Sequence, residues 1–145
     1  MLKDILAISG ESGLFKIITQ TKNSIIVEHI ETKKKMPAYA SHKISALEDI
    51  AIFTYDDEIN LKDVLLKIFE KENGGQAISH KAAKEELKNY FESILPNYDK
   101  ERVYVSDIKK IISWYNTLNK SNIIKPENNE TETKESKNEN DENQQ

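Results

Sequence analysis

The apolar residues of this chain keep one spacing as far as Phe53 and another from Leu61 onward, so two kinds of structure must share one short sequence. Between Leu14 and Phe53 they form short runs of β-branched and aromatic residues separated by polar turns. Leu14–Gln20, Ile25–Ile30 and Met36–Ala40 have the composition of strands, with Pro37 suited to an edge because it has no N–H to donate. From Leu61 the spacing becomes helical. Leu61, Val64, Leu65, Ile68 and Phe69 make one stripe. Ala83, Leu87, Tyr90, Phe91, Ile94 and Leu95 make a second, and Ile108, Ile111, Ile112, Tyr115 and Leu118 a third.

Punctuation supports this division. Ser9–Gly13 and Thr21–Ser24 read as turns, and Glu31–Lys35 as a charged hairpin tip. Asn60, Ser79 and Ser106 are candidate N-caps, while Asn73-Gly74-Gly75 and Pro96 stop the first two helices. Leu47–Ile50 reads as a single helical or 3₁₀ turn, and Ala51–Thr54 as a last short strand. Residues 1–8 fit either one helical turn or a lead-in strand.

Several short strands within about 40 residues can hide a hydrophobic face only by curling. The expected class is therefore α+β, a small SH3-like antiparallel β-barrel over residues 1–57 and a three-helix unit over 58–120. Each unit is small for independent stability, and no Gly or Pro separates Phe53 from Asn60. The change of period is read as a seam inside one cooperative body.

Mean hydropathy is −0.68, and the deficit of apolar residues is concentrated at one end. Residues 126–145 contain no aromatic or aliphatic residue, and their seven acidic and two basic residues give −5. With −4 for all 145 residues, residues 1–125 are left at +1. A disordered, acidic, low-complexity tail is expected over 121–145, since it cannot bury enough apolar surface to offset the entropy of ordering. The alternative is a tail that competes for a basic surface on the body or on a partner.

Several chemistries are excluded. The chain has no cysteine, hence no disulfide or thiolate chemistry. No run approaches the ~18 apolar residues of a membrane span, and the charged start does not read as a signal peptide, so a cytoplasmic protein without membrane association is expected. Gly10-Glu11-Ser12-Gly13 places its second glycine one residue too early for a nucleophile elbow. His29, His42 and His80 fall in different elements, without the convergent partners zinc needs. If Asn97 opened a calcium loop, Arg102 and Ile108 would stand where glycine and glutamate are required. No glycine-rich loop precedes a helix to cradle phosphate. No catalytic residue, cofactor or metal ligand is assigned, and an enzyme would require an unrecognised site.

One surface suggests binding. Lys33, Lys34 and Lys35 sit at a hairpin tip, Lys22, His42 and Lys43 in neighbouring turns, and Phe15 and Tyr39 on strands. Small barrels bind RNA or DNA with such cations and rings. The alternative is that the lysines keep the edge soluble and the rings belong to the core. Trp114 lies about 100° from the stripe carrying Tyr115, so it packs against the barrel, a partner chain or solvent and marks a candidate interface. The expected function is a non-enzymatic binding or adaptor protein acting through Lys33, Lys34, Lys35, Tyr39, His42 and Lys43. A protein-interaction or oligomerisation scaffold using Trp114 is the rival.

Two stretches carry a resemblance: residues 36–53, from Met36-Pro37-Ala38-Tyr39 to Ala51-Ile52-Phe53, and residues 102–116, from Arg102-Val103-Tyr104 to Trp114-Tyr115-Asn116. With Leu2–Phe15 they resemble a family of uncharacterised small proteins from Bacteroidota-type bacteria, over residues 1–120. The resemblance implies the same two-part build and brings no activity or site residue. Proline is expected where Ser12 stands, a departure confined to the turn.

Overall fold

The computed structural model describes residues 1–39 and 41–125. In chain order these form β1 (Ile5–Ile8), β2 (Phe15–Gln20), β3 (Ser24–His29), β4 (Lys35–Tyr39), β5 (Ile44–Ala46), a 3₁₀ turn (Leu47–Asp49), β6 (Ala51–Phe53) and β7 (Glu58–Asn60). Helices α1 (Leu61–Lys71), α2 (Lys84–Ile94) and α3 (Val105–Lys120) follow. The chain is thus α+β, and residues 1–8, open between helix and strand in the sequence, supply a strand.

Five strands form an antiparallel sheet in the order β4-β3-β2-β1-β5, while β6 and β7 pair separately. No ladder joins β4 to β5, so among the described residues the strands form an open antiparallel sheet and not a closed barrel. The sheet is nonetheless curled. Four strand spacings of about 4.8 Å would set the edges of a flat sheet about 19 Å apart. Tyr39 and Ile44, at opposite edges, are only five residues apart, and the Tyr39 carbonyl accepts the His42 N–H in the turn between them. A register shift between Ile17 and Thr19 adds a bend in β2.

Curling gives the sheet two apolar faces. Leu6, Ile8, Phe15, Val27 and Ala38 cluster on one. Ile5 on β1 joins Leu2, Leu14, Ile30 and Leu47 in a core shared with all three helices. β1 alternates between the two clusters, which is why its sequence, Ile-Leu-Ala-Ile, is apolar throughout. One core bridges the change of hydrophobic period.

The expected last strand of the barrel, Ala51–Thr54, forms over Ala51–Phe53 and belongs to a hairpin of its own, because Glu58–Asn60 pairs with it. This hairpin docks on the α2–α3 connection. Asp99 N–H donates to the Phe53 carbonyl and Tyr55 N–H to that of Asn97, both at 3.0 Å.

Two capping expectations are also corrected. Ser79 Oγ accepts the Lys81 N–H at 3.0 Å within a turn before α2, which starts only at Lys84. α3 begins at Val105, and the Asp107 carboxylate, rather than Ser106, accepts the Tyr104 N–H at 2.9 Å. Asn60 is the N-cap residue of α1, but its side chain makes no capping bond.

α3 ends in a Schellman turn. Asn122 has φ +60°, its N–H donates to the Asn119 carbonyl, and Ile123 N–H donates to that of Leu118. The reversal returns Ile124 to the core at 3% exposure. Residues 121–125, expected as the start of the tail, therefore belong to the body, and the rest of that expectation lies outside the described residues.

Candidate functional site

The structure separates the predicted binding residues into two groups. Lys33, Lys34 and Lys35 are exposed at the β3–β4 turn, where Lys33 adopts φ +66° and Lys35 stands opposite Glu28. Tyr39 is at the other end of β4, about 13 Å away at a strand rise of about 3.3 Å per residue. There it is 48% exposed, its ring centroid 5.9 Å from that of His42, whose Nδ1 accepts the Tyr39 N–H at 2.9 Å. Lys22 precedes Ser24, the residue paired with Tyr39, and so lies at this same end. Phe15 is buried edge-on to His29 and offers no stacking surface.

Lys43 leads to a different feature. A cleft of about 570 Å³ opens between the Ser9–Gly13 turn, β5 and the first half of α3, lined by Lys43, His80, Lys109, Lys110, Ser113 and Trp114 among others. Ile108, Ile111 and Ile112 bury the inner side of α3, leaving the lysines beside the cleft. Lys110 and Trp114 are four residues apart and hence neighbours on one helix face. Trp114 is half-buried, packed against the shared core and lining the cleft.

Local bonds hold both walls. Tyr115 donates its hydroxyl to the Gly75 carbonyl at 2.7 Å. Asn116 Oδ1 accepts the Ala77 N–H at 2.8 Å, and its Nδ2 donates to the Ile78 carbonyl at 3.2 Å. These bonds fix the α1–α2 loop on α3 and bring His80 to the cleft. On the opposite wall His29 Nδ1 accepts N–H bonds from Glu31 and Thr32, which leaves the proton on Nε2 to donate to the Ser12 carbonyl at 3.1 Å. Gly13 allows this contact, with φ +85° and a position where a Cβ would lie 2.4 Å from His29 Nε2. Gly10, at φ +87°, has open space around its Cβ position.

Two depressions adjoin the cleft. One of about 310 Å³ shares Ser45, Ile50, Lys110 and Trp114 with it and runs toward Phe53 and Arg102. The other, about 210 Å³, shares His80 and Ser113 and reaches Lys120. Together they follow much of the length of α3.

Three ion pairs form among the described residues: Lys88–Glu85, Lys100–Glu92 and Arg102–Asp99. None uses Lys43, Lys109 or Lys110. Three lysines against the one acid Glu11 leave the lining of the cleft at +2. Arg102 sits over the Phe53 ring, 4.2 Å from its centroid. Its side-chain hydrogen bond and the Glu101 N–H hold the Asp99 carboxyl below its usual range. No group of three or more His, Asp or Glu side chains could hold a metal among the described residues.

Sequence reasoning flags Lys43 and Trp114, passes over Lys109 and Lys110, and reads Ser9–Gly13 as a turn. The available signal was the Lys110–Trp114 spacing, which puts a cation beside the ring that leaves the apolar stripe.

The architecture is that of a small curled sheet joined through one core to a three-helix unit. Residues 2–47 match a domain of unknown function, DUF5606, and residues 50–118 match a second, DUF6852. A solution NMR structure of a Bacteroides vulgatus protein, a structural-genomics target, is similar at 49% identity and TM-score 0.72, over 86% of this chain and 90% of that one. The chain belongs to the same Bacteroidota family as that protein, and its two matched domains are of unknown function. No curated protein matches it. Among the described residues no helix is long and apolar enough to cross a membrane.

Proposed function

We propose that this is a non-enzymatic cytoplasmic binding protein that holds single-stranded nucleic acid, RNA in the first instance, in the cleft between its sheet and α3. The observation behind this reading is the convergence of Lys43, Lys109 and Lys110, none of them in an ion pair among the described residues, around Trp114. Cations that track a backbone beside a ring that stacks a base are what sequence-tolerant single-strand binding requires. The sheet is read as a half-open relative of the SH3-like barrel, a reading supported by its curl and by β5 lying beside β1. The candidate surface expected from the sequence contributes Lys43 directly and Tyr39 and His42 at the turn preceding it. The lysines of the β3–β4 turn serve solubility.

The test is fluorescence anisotropy of a labelled single-stranded RNA across a salt series. Engagement of three phosphates gives a slope of log K against log salt near −2, from about −0.7 per phosphate. Absence of binding at about 20 mM salt, where screening is weakest, removes the reading.

A second reading has its own observation. Phe53, Tyr55 and Tyr104 are 41%, 59% and 63% exposed, with Arg102 stacked on Phe53. Aromatic residues and arginine are the enriched residues of protein interfaces. A protein partner or a second copy would dock here, and sedimentation as a function of concentration separates those two.

A further inference from the structure

The charge of this chain is divided unevenly, and the two parts complement each other. Residues 126–145 carry −5 and residues 1–125 carry +1. Within the latter, Lys43, Lys109 and Lys110 surround one cleft without an ion-pair partner among the described residues. We propose that the acidic segment 126–145 docks in this basic cleft and competes with anionic ligands for it, a form of self-inhibition. The proposal rests on the cleft being the binding site.

The path at the end of α3 favours the contact. The Schellman turn at Asn122 reverses the chain and sends Ile124 back to the core. The depression reaching Lys120 continues through His80 and Ser113 into the cleft. Lys109 lies about 16 Å from Lys120 along α3, at about 1.5 Å rise per residue. Five or six extended residues cover that span at about 3.3 Å each. Glu127, Glu130, Glu132 and Glu135 fall within the first ten residues of the segment, inside this reach.

The composition of the segment defines the interaction. With no aromatic or aliphatic residue it has no anchor for an apolar pocket, so its contact is with the lysine ammonium groups and is screened by salt. Tethering supplies an effective concentration in the mM range. A segment with an intrinsic Kd near 0.1 mM would then occupy the cleft about nine-tenths of the time and weaken an external polyanion about tenfold.

The test compares the full chain with a full-length variant in which all seven acids are neutralised (E127Q, E130Q, E132Q, E135Q, E139Q, D141N and E142Q). All seven lie in the stretch that has no aromatic or aliphatic residue. The direct readout is the Trp114 indole N–H resonance together with the Lys109 and Lys110 amides. These should shift between the two chains at low salt and coincide at about 0.5 M salt, where screening separates the charges. Labelled oligonucleotide should bind the variant up to about tenfold more tightly at low salt. Superimposable resonances at low salt overturn the proposal. A shift that appears only as protein concentration rises assigns the segment to a second copy and overturns the intrachain form. If the resonances shift but neither chain binds oligonucleotide, the docking stands and the nucleic-acid reading fails.

Discussion

The two groups of lysines in this protein differ in how they arise. Lys33, Lys34 and Lys35 are consecutive, exposed at a convex turn, and Lys35 faces Glu28 across the ladder. Lys43 joins Lys109 and Lys110 only through folding, and the three border a concave surface with Trp114. Charge density along the sequence favours the first group, but concavity and a ring favour the second. A point charge on a convex tip is surrounded by water and counterions, whereas charges around a cleft act together on one ligand. The comparison teaches that folding can assemble a basic concave surface from lysines far apart in sequence.

The largest effect should come from reversing charge in the cleft. K109E/K110E removes two phosphate contacts and adds repulsion, so RNA affinity at low salt falls on the order of a hundredfold while circular dichroism is unchanged. In the cleft wall, Gly13→Ala must relieve a Cβ placed 2.4 Å from the His29 ring at φ +85°. It should lower unfolding free energy by about 2–3 kcal/mol in chemical denaturation. Gly10→Ala, with open space but φ +87°, should cost about 1 kcal/mol.

Trp114→Leu should weaken binding about tenfold and leave the salt slope in place, because it removes stacking and no charge. The smallest effect belongs to the other group. K33A/K34A/K35A should change affinity less than about twofold at 0.15 M salt, since charges beyond a Debye length of about 8 Å are screened. A triple variant that loses binding as severely as K109E/K110E would reverse the comparison.

Much of the fold was legible because periodicity follows burial. The α1 stripe Leu61, Val64, Leu65 and Ile68 is buried as its spacing implies, and Pro37 does sit on an edge strand. β5 and β7 were missed because each is three residues long, too short to show alternation. β6 was assigned to the sheet because nothing local reveals its strand partner. Ser79 and Ser106 have the right chemistry for caps, but in both cases the backbone starts its helix elsewhere. The site was legible only in pieces. Lys43, His80 and Lys109 are far apart in sequence, and their meeting depends on Asn116 bonds to the α1–α2 loop and on the seat of α3 against the sheet.

Trp114 is the only tryptophan in the chain, so its emission reports on the cleft and the depression beside it. Titration with single-stranded RNA at low salt should quench that emission with the same midpoint as the anisotropy change, and K109E/K110E should abolish both. Saturable binding with Trp114 emission unchanged would place the ligand elsewhere and contradict the cleft as the functional site.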